Sequence, residues 1–347
     1  MATKSAPDAS SPSAATGGPL ESALSARFVA SLLPGEIGDF DGARLAEAVR
    51  FTLATASRRP GAEPAVAIES VGGTSGERHL RIAVINDDMP FLVDSISATI
   101  TAQGLTIDRL VHPVVAVRRD PEGTLLALPE GEAVGERRES VIYLEAERAD
   151  ARQRRELAEA LKATLADVHA AVADWPLMQA AMQRDARGLP DQEGAALLRW
   201  LADGMLTQLG HVVRHRDGTQ TAPLGICRAS AAKLLADASY DRAFAWFDRA
   251  GRKDEDAVRA PLVVKANRIA NVHRRVPLDL FIVPEVEDGK VVALSVHAGV
   301  WTSAALATPP DRVPRMRSQL AALTGKFGFD PSGHAGKSLV HALTALP

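Results

Sequence analysis

The sequence is poor in residue types on which several functions depend. It has one cysteine, Cys227, which excludes an internal disulfide framework and a multi-cysteine metal site, and which indicates a reducing compartment. Aromatic residues make up only 4% of the 347 residues, which argues against stacking platforms for single-stranded nucleic acid. No uninterrupted apolar run approaches the roughly 18 residues that a membrane-spanning helix needs.

The charge is almost balanced, since 40 lysines and arginines face 43 aspartates and glutamates, for a net charge of -3. This excludes a strongly basic nucleic-acid binder and gives no electrostatic reason for membrane association. With 46% hydrophobic and 24% charged residues, the composition is typical of a globular protein. We expect two or three domains, with no nucleic-acid and no membrane partner.

The N-terminal segment 1–19 is rich in Ser, Ala, Pro and Gly, and no apolar core follows Lys4. It therefore lacks the pattern of a signal peptide. Such a segment buries too little apolar surface to offset its ordering entropy, so we predict a disordered leader. Two helices, 21–33 and 41–57, are predicted to follow it.

Residues 64–175 carry the clearest secondary-structure pattern. Alternating apolar residues predict half-buried strands, and apolar residues at spacings of three and four predict helices. Asp88 suits a helix N-cap and Gly104 a helix end. The predicted elements are strand 65–71, strand 79–85, a helix up to Gly104, strand 105–118, strand 140–147 and helix 152–175. This is most of a βαββαβ unit with an extra strand in front, whose two helices pack on one face of an antiparallel sheet.

The second half begins with helix over 176–204 and then changes to a β pattern. Asp217-Gly218 and Asp288-Gly289 are hairpin signals. The predicted strands are 206–214, 224–228, 262–266, 276–286 and 291–300, interrupted by a small helix at 229–236. Two helices, 311–327 and 331–346, close the chain. The predicted fold class is therefore α+β.

No catalytic, cofactor-binding or metal-binding residues are predicted in this chain. Gly336-Lys337-Ser338 resembles part of a phosphate loop, but it lacks the glycine five positions earlier and the preceding strand. The chain has no Gly-x-Gly-x-x-Gly dinucleotide motif. His211 and His215 lie four residues apart on a predicted strand, which separates them along one face and does not indicate zinc.

Two polar groups have structural interpretations as well as functional ones. His273-Arg274-Arg275, near Lys265 and Arg268, indicates a solvated or interface-facing strand, with a carboxylate site as the alternative. Asp87, Asp88 and Asp94 suggest acid–base chemistry, but Asp88 is better explained as a helix cap and Asp94 by the helix dipole. Cys227 lies between apolar residues and is predicted to be buried.

Several short motifs, in order, resemble the N-terminal region of the large bacterial NAD-dependent glutamate dehydrogenases. They cover roughly residues 20–347, and six or more in one order make the resemblance specific. In the first half they are the run 86–95 (NDDMPFLVDS), His112-Pro113-Val114-Val115 and Arg138-Glu139-Ser140. In the second half they are the runs 197–201 (LLRWL), 224–226 (LGI), 265–267 (KAN), 272–276 (VHRRV), 302–305 (TSAA) and 328–334 (GFDPSGH).

The resemblance implies a piece of a much longer enzyme of amino-acid catabolism. Family members carry ACT-like and PAS-like modules at this end, thought to regulate and assemble the enzyme, and their catalytic and NAD-binding domains lie far downstream. The predicted organisation is a disordered leader (1–19), N-terminal helices (20–63), an ACT-like domain (64–175), a helical connector (176–204), a β-rich PAS- or ACT-like domain (205–302) and a helical motif, the C-terminal helical pair (303–347).

The predicted function is that of a regulatory and assembly segment, with no catalysis by these 347 residues alone. The whole enzyme would convert L-glutamate and NAD to 2-oxoglutarate, ammonium and NADH in the cytoplasm, with NAD bound in the missing catalytic part. The expected partners are further copies of the chain or the remainder of the enzyme. The alternative is a stand-alone ACT-like amino-acid sensor or interaction protein with no enzymatic activity.

One candidate site is a loop that could hold an amino-acid effector. It comprises Asn86, Asp87, Asp88 and Phe91, where a helix N-terminus would face a carboxylate and Asp87 would accept from an amino group. Ligand-binding ACT domains usually have glycine where this chain has Phe91, and the phenylalanine fills the space of a ligand. A purely structural loop is therefore the favoured interpretation.

Overall fold

The computed structural model describes residues 18–32, 40, 42–72, 78–130, 137–253, 260–328 and 333–338. Most of the predicted leader lies outside these residues. Helices and antiparallel sheets are both present, which confirms the α+β class. The chain divides into two compact units, Met1–Lys162 and Ala163–Pro347. Within the described residues, no helix is both long and apolar enough to cross a membrane.

Two helices open the first unit, α1 (Pro19–Ser31) and α2 (Gly42–Ala56), close to the predicted bounds. Phe28 of α1 and Val49 of α2 are fully buried and share one core with Ile85 and Tyr143 of the sheet. The Phe28 and Tyr143 rings lie 5.9 Å apart. Burial of such side chains contributes about 1.5–3 kcal/mol each, so α1 and α2 are held to the sheet by apolar packing.

The first unit has a six-stranded sheet in the order β1-β2-β6-β4-β5, in which β3 also pairs with β6. All of its pairings are antiparallel. The strands are β1 (Ala65–Val71), β2 (His79–Asp87), β3 (Ile107–Val111), β4 (Val114–Arg119), β5 (Leu125–Ala127) and β6 (Arg137–Glu147).

The single strand predicted over 105–118 is wrong, because the structure divides it at His112-Pro113 into β3 and β4. Proline has no backbone N–H and interrupts a hydrogen-bonded ladder. The Pro113 carbonyl still accepts from the Val141 amide at 3.0 Å, so both short strands remain on β6.

Two helices complete the first unit's pattern: α3 (Leu92–Ala102) and the start of α4 (Ala151–Gly188), which continues into the second unit. A βαββαβ unit would place a strand after α4. That strand would form the sheet edge next to β2. In the described residues this edge position is held by β1, which comes earlier in the chain. The sheet face opposite α1 and α2 is also fully buried, at Ile82, Val84 and Leu144, so both faces of the sheet are covered.

The second unit contains a five-stranded antiparallel sheet in the order β8-β7-β11-β10-β9. The strands are β7 (Leu206–His215), β8 (Gln220–Gly225), β9 (Leu262–Ile269), β10 (Pro277–Glu287) and β11 (Lys290–Trp301). A tight turn joins β7 directly to β8, whereas a βαββαβ unit has a helix between its first two strands. The assignment of this module as PAS- or ACT-like stays a prediction.

The helices of the second unit differ more from the prediction. The rest of α4 leads to α5 (Gln192–Trp200), as expected for 176–204. The small helix predicted at 229–236 is wrong: the backbone there is irregular, after a short 3-10 turn at Ile226–Arg228. The helix instead is α6 (Asp237–Lys253), which buries Tyr240, Phe244 and Phe247.

The helix predicted over 311–327 is shorter than expected. It is preceded by α7 (Ser303–Ala307) and a 3-10 turn, Pro310–Arg312, and it begins only at Met316 as α8 (Met316–Phe327). Pro314 disfavours helix for the residue before it, which explains the late start. Of the helix predicted over 331–346, residues 333–338 are described and 334–338 are helical.

Candidate functional site

The predicted effector loop joins β2 to α3 in the first unit. The helix begins at Leu92, and the residue before it, Phe91, has φ 73° in the left-handed region. The prediction that Asp88 caps the helix is therefore wrong, because Asp88 lies too far from the first turn. Its carboxylate Oδ1 instead accepts from Ser140 Oγ at 2.8 Å. Asn86 is buried, and its side-chain amide donates to the Asp87 carbonyl at 2.8 Å.

Asp87 is bound by two arginines. Its Oδ1 accepts from Arg59 Nη1 at 2.7 Å and from Arg137 Nε at 2.8 Å. The same Arg59 Nη1 donates to Glu139 Oε1 at 2.8 Å, and Glu139 Oε2 accepts from Arg119 Nη2 at 2.7 Å. The three arginines and two carboxylates form one ion-pair network, which we call the Arg59 network.

The Arg59 network is largely buried. The side chains of Arg59 and Glu139 are each only 1% exposed, and that of Arg119 is 6% exposed. The remaining Arg59 donors are also used, since Nε binds the Glu63 carbonyl and Nη2 the Ala62 carbonyl. Paired and hydrogen-bonded charges are the only ones that a protein interior tolerates well.

The electrostatics of Asp87 follow from these contacts. Burial raises its pKa, but the hydrogen bonds and positive charges of Arg59 and Arg137 outweigh burial and leave the pKa below its ordinary value. Asp87 is therefore an ionised partner of two guanidinium groups. Both arginines contact Oδ1, so a ligand's amino group would have to bind Oδ2 of a carboxylate whose charge two guanidinium groups already pair.

A second group of polar side chains meets in the second unit, where sequence spacing gave no indication of a site. Asp185 on α4, His211 on β7, and Ser295 and His297 on β11 converge; we call them the Asp185 cluster. Asp185 Oδ2 lies 2.8 Å from His297 Nε2 and 2.5 Å from Ser295 Oγ. Ser295 Oγ lies 3.0 Å from His211 Nε2.

Sheet register creates the cluster. His211 and His297 are directly opposite each other on β7 and β11, and their rings are 4.8 Å apart. Ser295 precedes His297 by two positions on β11, which places it on the same face of the sheet. One ligand atom each from Asp185, His211 and His297 lies within 4.8 Å of the others. This arrangement can share protons or hold a cation.

Burial dominates the electrostatics of the Asp185 cluster. It lowers the pKa of His211 to about 3, helped by the neighbouring His297, so the ring is neutral at physiological pH. Burial raises the pKa of Asp185, but its hydrogen bonds and the charge of His297 bring the net value below the ordinary one. Nearby Glu285 has a raised pKa, first through burial and then through the charge of Asp185.

The other sequence features have structural roles in the described residues. Arg274 Nη2 donates to the Trp301 carbonyl, and Arg275 Nη1 to Asn271 Oδ1 at 3.1 Å. Lys265 pairs with Asp279 at 2.8 Å. His215 does not join His211 but contacts Thr221 Oγ1 at 2.8 Å. Cys227 is buried, and burial raises its pKa to about 12.

Comparison with known proteins identifies relatives of this chain. Residues 24–161 match the model of the glutamate dehydrogenase ACT1 domain. Over 296 and 297 residues, 78% of the chain, the sequence is 29% identical to the NAD-specific glutamate dehydrogenases of Halomonas elongata and of Pseudomonas aeruginosa. The aligned part spans only 18% of each relative. These matches confirm the resemblance to the N-terminal region of that family.

A solved structure of an RNA-binding light-oxygen-voltage receptor aligns over 86% of this chain and 90% of its own. Its sequence identity is 11% and its TM-score 0.18, which is too low to inform on fold or function.

Proposed function

We propose that this chain, a relative of the N-terminal region of NAD-specific glutamate dehydrogenases, is a non-catalytic segment that serves assembly and regulation. The whole enzyme would act in the cytoplasm and oxidise L-glutamate with NAD to 2-oxoglutarate, ammonium and NADH. NAD would bind outside these 347 residues. The segment would act through packing against further copies of itself or against the remainder of the enzyme.

The observation that carries this proposal is the engagement of Asp87. The one side chain expected to accept from an amino-acid effector is bound by Arg59 and Arg137. Phe91 occupies the position where a ligand would need open backbone, and it is only partly exposed. This weighs against the alternative of a stand-alone amino-acid sensor and favours a module that transmits packing.

The sheet edges support the assembly role. Val263 and Ile269 on the edge strand β9 are 45% and 39% exposed, and Leu126 on the edge strand β5 is 56% exposed. Edge strands offer unpaired backbone groups, and proteins commonly blunt them with charge or cover them. The exposed apolar side chains on β9 and on β5 are therefore consistent with a partner chain that packs over these two edge strands.

Calorimetry with the common amino acids, including glutamate and aspartate, tests the effector question. We expect no micromolar binding to the 347-residue chain, because Arg59 and Arg137 already pair with Asp87. Micromolar binding that disappears in Asp87→Ala, with the fold retained, would favour the sensor. An assay of NADH formation from glutamate and NAD should show no turnover, and turnover by the pure chain would contradict the non-catalytic assignment.

Light scattering tests assembly. We expect the chain to be larger than a monomer, and the double variant Val263→Lys/Ile269→Lys to reduce its mass, since lysines on an edge strand oppose pairing. Val286→Lys is the matched control, because Val286 is 54% exposed near the β10–β11 hairpin and off the sheet edge. A strict monomer at high concentration counts against self-association through any surface. An oligomer unchanged by the double variant excludes the β9 edge.

A further inference from the structure

We propose that Asp185, His211 and His297 bind a divalent transition-metal ion of the zinc class in the second unit. The three side chains come from α4, β7 and β11, and one ligand atom of each lies within 4.8 Å of the others. A bound ion would tie the helix to two neighbouring strands of the sheet. The site is independent of the function proposed above.

The ligand chemistry selects the ion. Two imidazole nitrogens and one carboxylate oxygen are a common ligand set for Zn²⁺. Mg²⁺ and Ca²⁺ prefer sites made only of oxygen atoms, so two histidines disfavour them. Cys227, whose thiolate would be a softer ligand, is not part of the group. Ser295 Oγ, at 2.5 Å from Asp185 Oδ2, or a water molecule could provide the fourth ligand.

The distances are near those of a tetrahedral site, with one pair of ligand atoms too close and the widest separation up to about an ångström too long. Metal–ligand distances of about 2.0–2.2 Å in a tetrahedron require ligand atoms about 3.3–3.6 Å apart. His297 Nε2 and Asp185 Oδ2 are closer, at 2.8 Å, because they share a hydrogen bond. The widest separation among the three ligand atoms is no more than 4.8 Å. Shifts of an ångström or so, within the reach of rotamer adjustment, bring all three to coordination distance.

Burial gives a reason for the ion. The side chains of His297 and Asp185 are only 1% and 9% exposed, and His211 is 1% exposed. Burying ionisable groups costs stability, and apolar residues of similar size would avoid that cost. Arg184 lies 3.6 Å from Asp185 Oδ1, but its side chain is 61% exposed. A divalent cation would neutralise the buried carboxylate directly.

Access to the site runs past Asp185. It is the most exposed of the three ligand residues, with 9% of its side chain exposed, and its neighbour Arg184 faces solvent. The two histidines lie behind it on the sheet. The ion would therefore meet the carboxylate first and the imidazoles second.

The test measures metal retention by the 347-residue chain. Protein stripped with a chelator is mixed with one equivalent of ZnCl₂, desalted and analysed for zinc by mass spectrometry. We expect about one zinc per chain and an upward shift in Tm, because an ion that binds only the folded state stabilises it. His297→Gln and Asp185→Asn should each lose the bound zinc. His215→Gln is the matched control on β7 and should retain it.

Two outcomes overturn the site. One is a folded wild-type chain that retains no zinc, which would make the cluster a hydrogen-bonded polar core. The other is full retention by both His297→Gln and Asp185→Asn, which would place the zinc elsewhere. Should these variants fail to fold, by circular dichroism, Co²⁺ added to the wild-type chain decides the question. A visible absorption band typical of tetrahedral Co²⁺, abolished by zinc, supports the site, and its absence refutes it.

Discussion

Asp87 Oδ1 and Arg59 Nη1 lie 2.7 Å apart, although the two residues are 28 positions apart in the chain. The ion pair joins the segment that follows α2 to the end of β2, next to the start of α3. It also occupies the carboxylate that the sequence offered as an effector contact. The pair ties the β2–α3 loop to the segment after α2, which supports the proposed structural role of the loop, and we expect its stability to depend on Arg59.

Arg59→Met should destabilise the first unit by about 3 kcal/mol or more, because it deprives buried Glu139 and Asp87 of a shared partner. The free energy of unfolding of this unit can be measured by hydrogen exchange of peptides that cover β2 and β6, at increasing urea concentrations. Arg152→Met removes an exposed pair with Glu156 and should change stability by no more than about 0.5 kcal/mol. Equal effects of the two substitutions would contradict a dominant role for the buried network.

Phe91→Gly should be nearly neutral, within about 1 kcal/mol. Phe91 lies before the helix with φ 73°, a conformation that glycine adopts without the cost of about 1–2 kcal/mol borne by other residues. The gain offsets the loss of a partly buried ring. Phe91→Val provides the comparison and should be clearly destabilising, because β-branched residues tolerate positive φ poorly. The same hydrogen-exchange measurement compares the stability of the two variants. A large loss of stability in Phe91→Gly would show that packing of the phenylalanine ring stabilises the loop.

The sequence predicted most strands well and the clusters poorly. The apolar run in 65–71 predicted β1, and alternation over 79–85 predicted β2, because both patterns are local in the sequence. Helix α6 was missed, although Tyr240, Ala243, Phe244 and Phe247 have helical spacing and are all buried. That signal was readable.

The Arg59 network and the Asp185 cluster, unlike the strands and helices, could not be predicted from local sequence patterns. Arg59 and Glu139 are 80 positions apart, and Asp185 and His297 are 112 apart. Nothing local marks such pairs, since the register of β7 on β11 and the approach of α4 create the Asp185 cluster. In the sequence, Arg59 lies in the run Arg58-Arg59-Pro60, just after the second predicted helix (41–57), and nothing in that run indicates a buried network. A charged residue within a predicted strand, such as Glu139 in β6, gives only a weak indication that an oppositely charged side chain lies beside it in the fold.

Stability of the first unit should fall as the pH drops below about 6.5. Burial lowers the pKa of His112 in the fold, although the charge of Asp88 opposes this. His112 therefore takes up a proton more readily in the unfolded chain than in the folded chain. Its contribution to stability is complete above its pKa in the unfolded chain, and it is lost as the pH falls towards its lower pKa in the folded chain. His112→Gln should reduce the difference between urea midpoints at about pH 5 and about pH 7.5. Unchanged pH dependence in this variant would exclude His112 as its source.

Cys227 should be inert to thiol reagents in the folded chain. It is 6% exposed, and burial raises its pKa to about 12, so almost no thiolate exists at neutral pH. Titration with a disulfide reagent such as DTNB should label one thiol per chain in denaturant and none in buffer. Rapid labelling under native conditions would show that the segment after β8 opens frequently.

Gly225→Ala should destabilise the second unit by about 2–4 kcal/mol, through backbone strain and overpacking together. Gly225 has φ +59°, and an added Cβ would lie 2.2 Å from the Leu209 carbonyl oxygen. All four tryptophans, Trp175, Trp200, Trp246 and Trp301, belong to this unit, so their fluorescence in urea reports its unfolding. Gly289→Ala is the control, because Gly289 has φ +74° but no atom within 4 Å of the added carbon. It carries only the conformational cost of about 1–2 kcal/mol. If both variants unfold at the same urea concentration, the close approach of β8 to β7 is not what requires glycine at position 225.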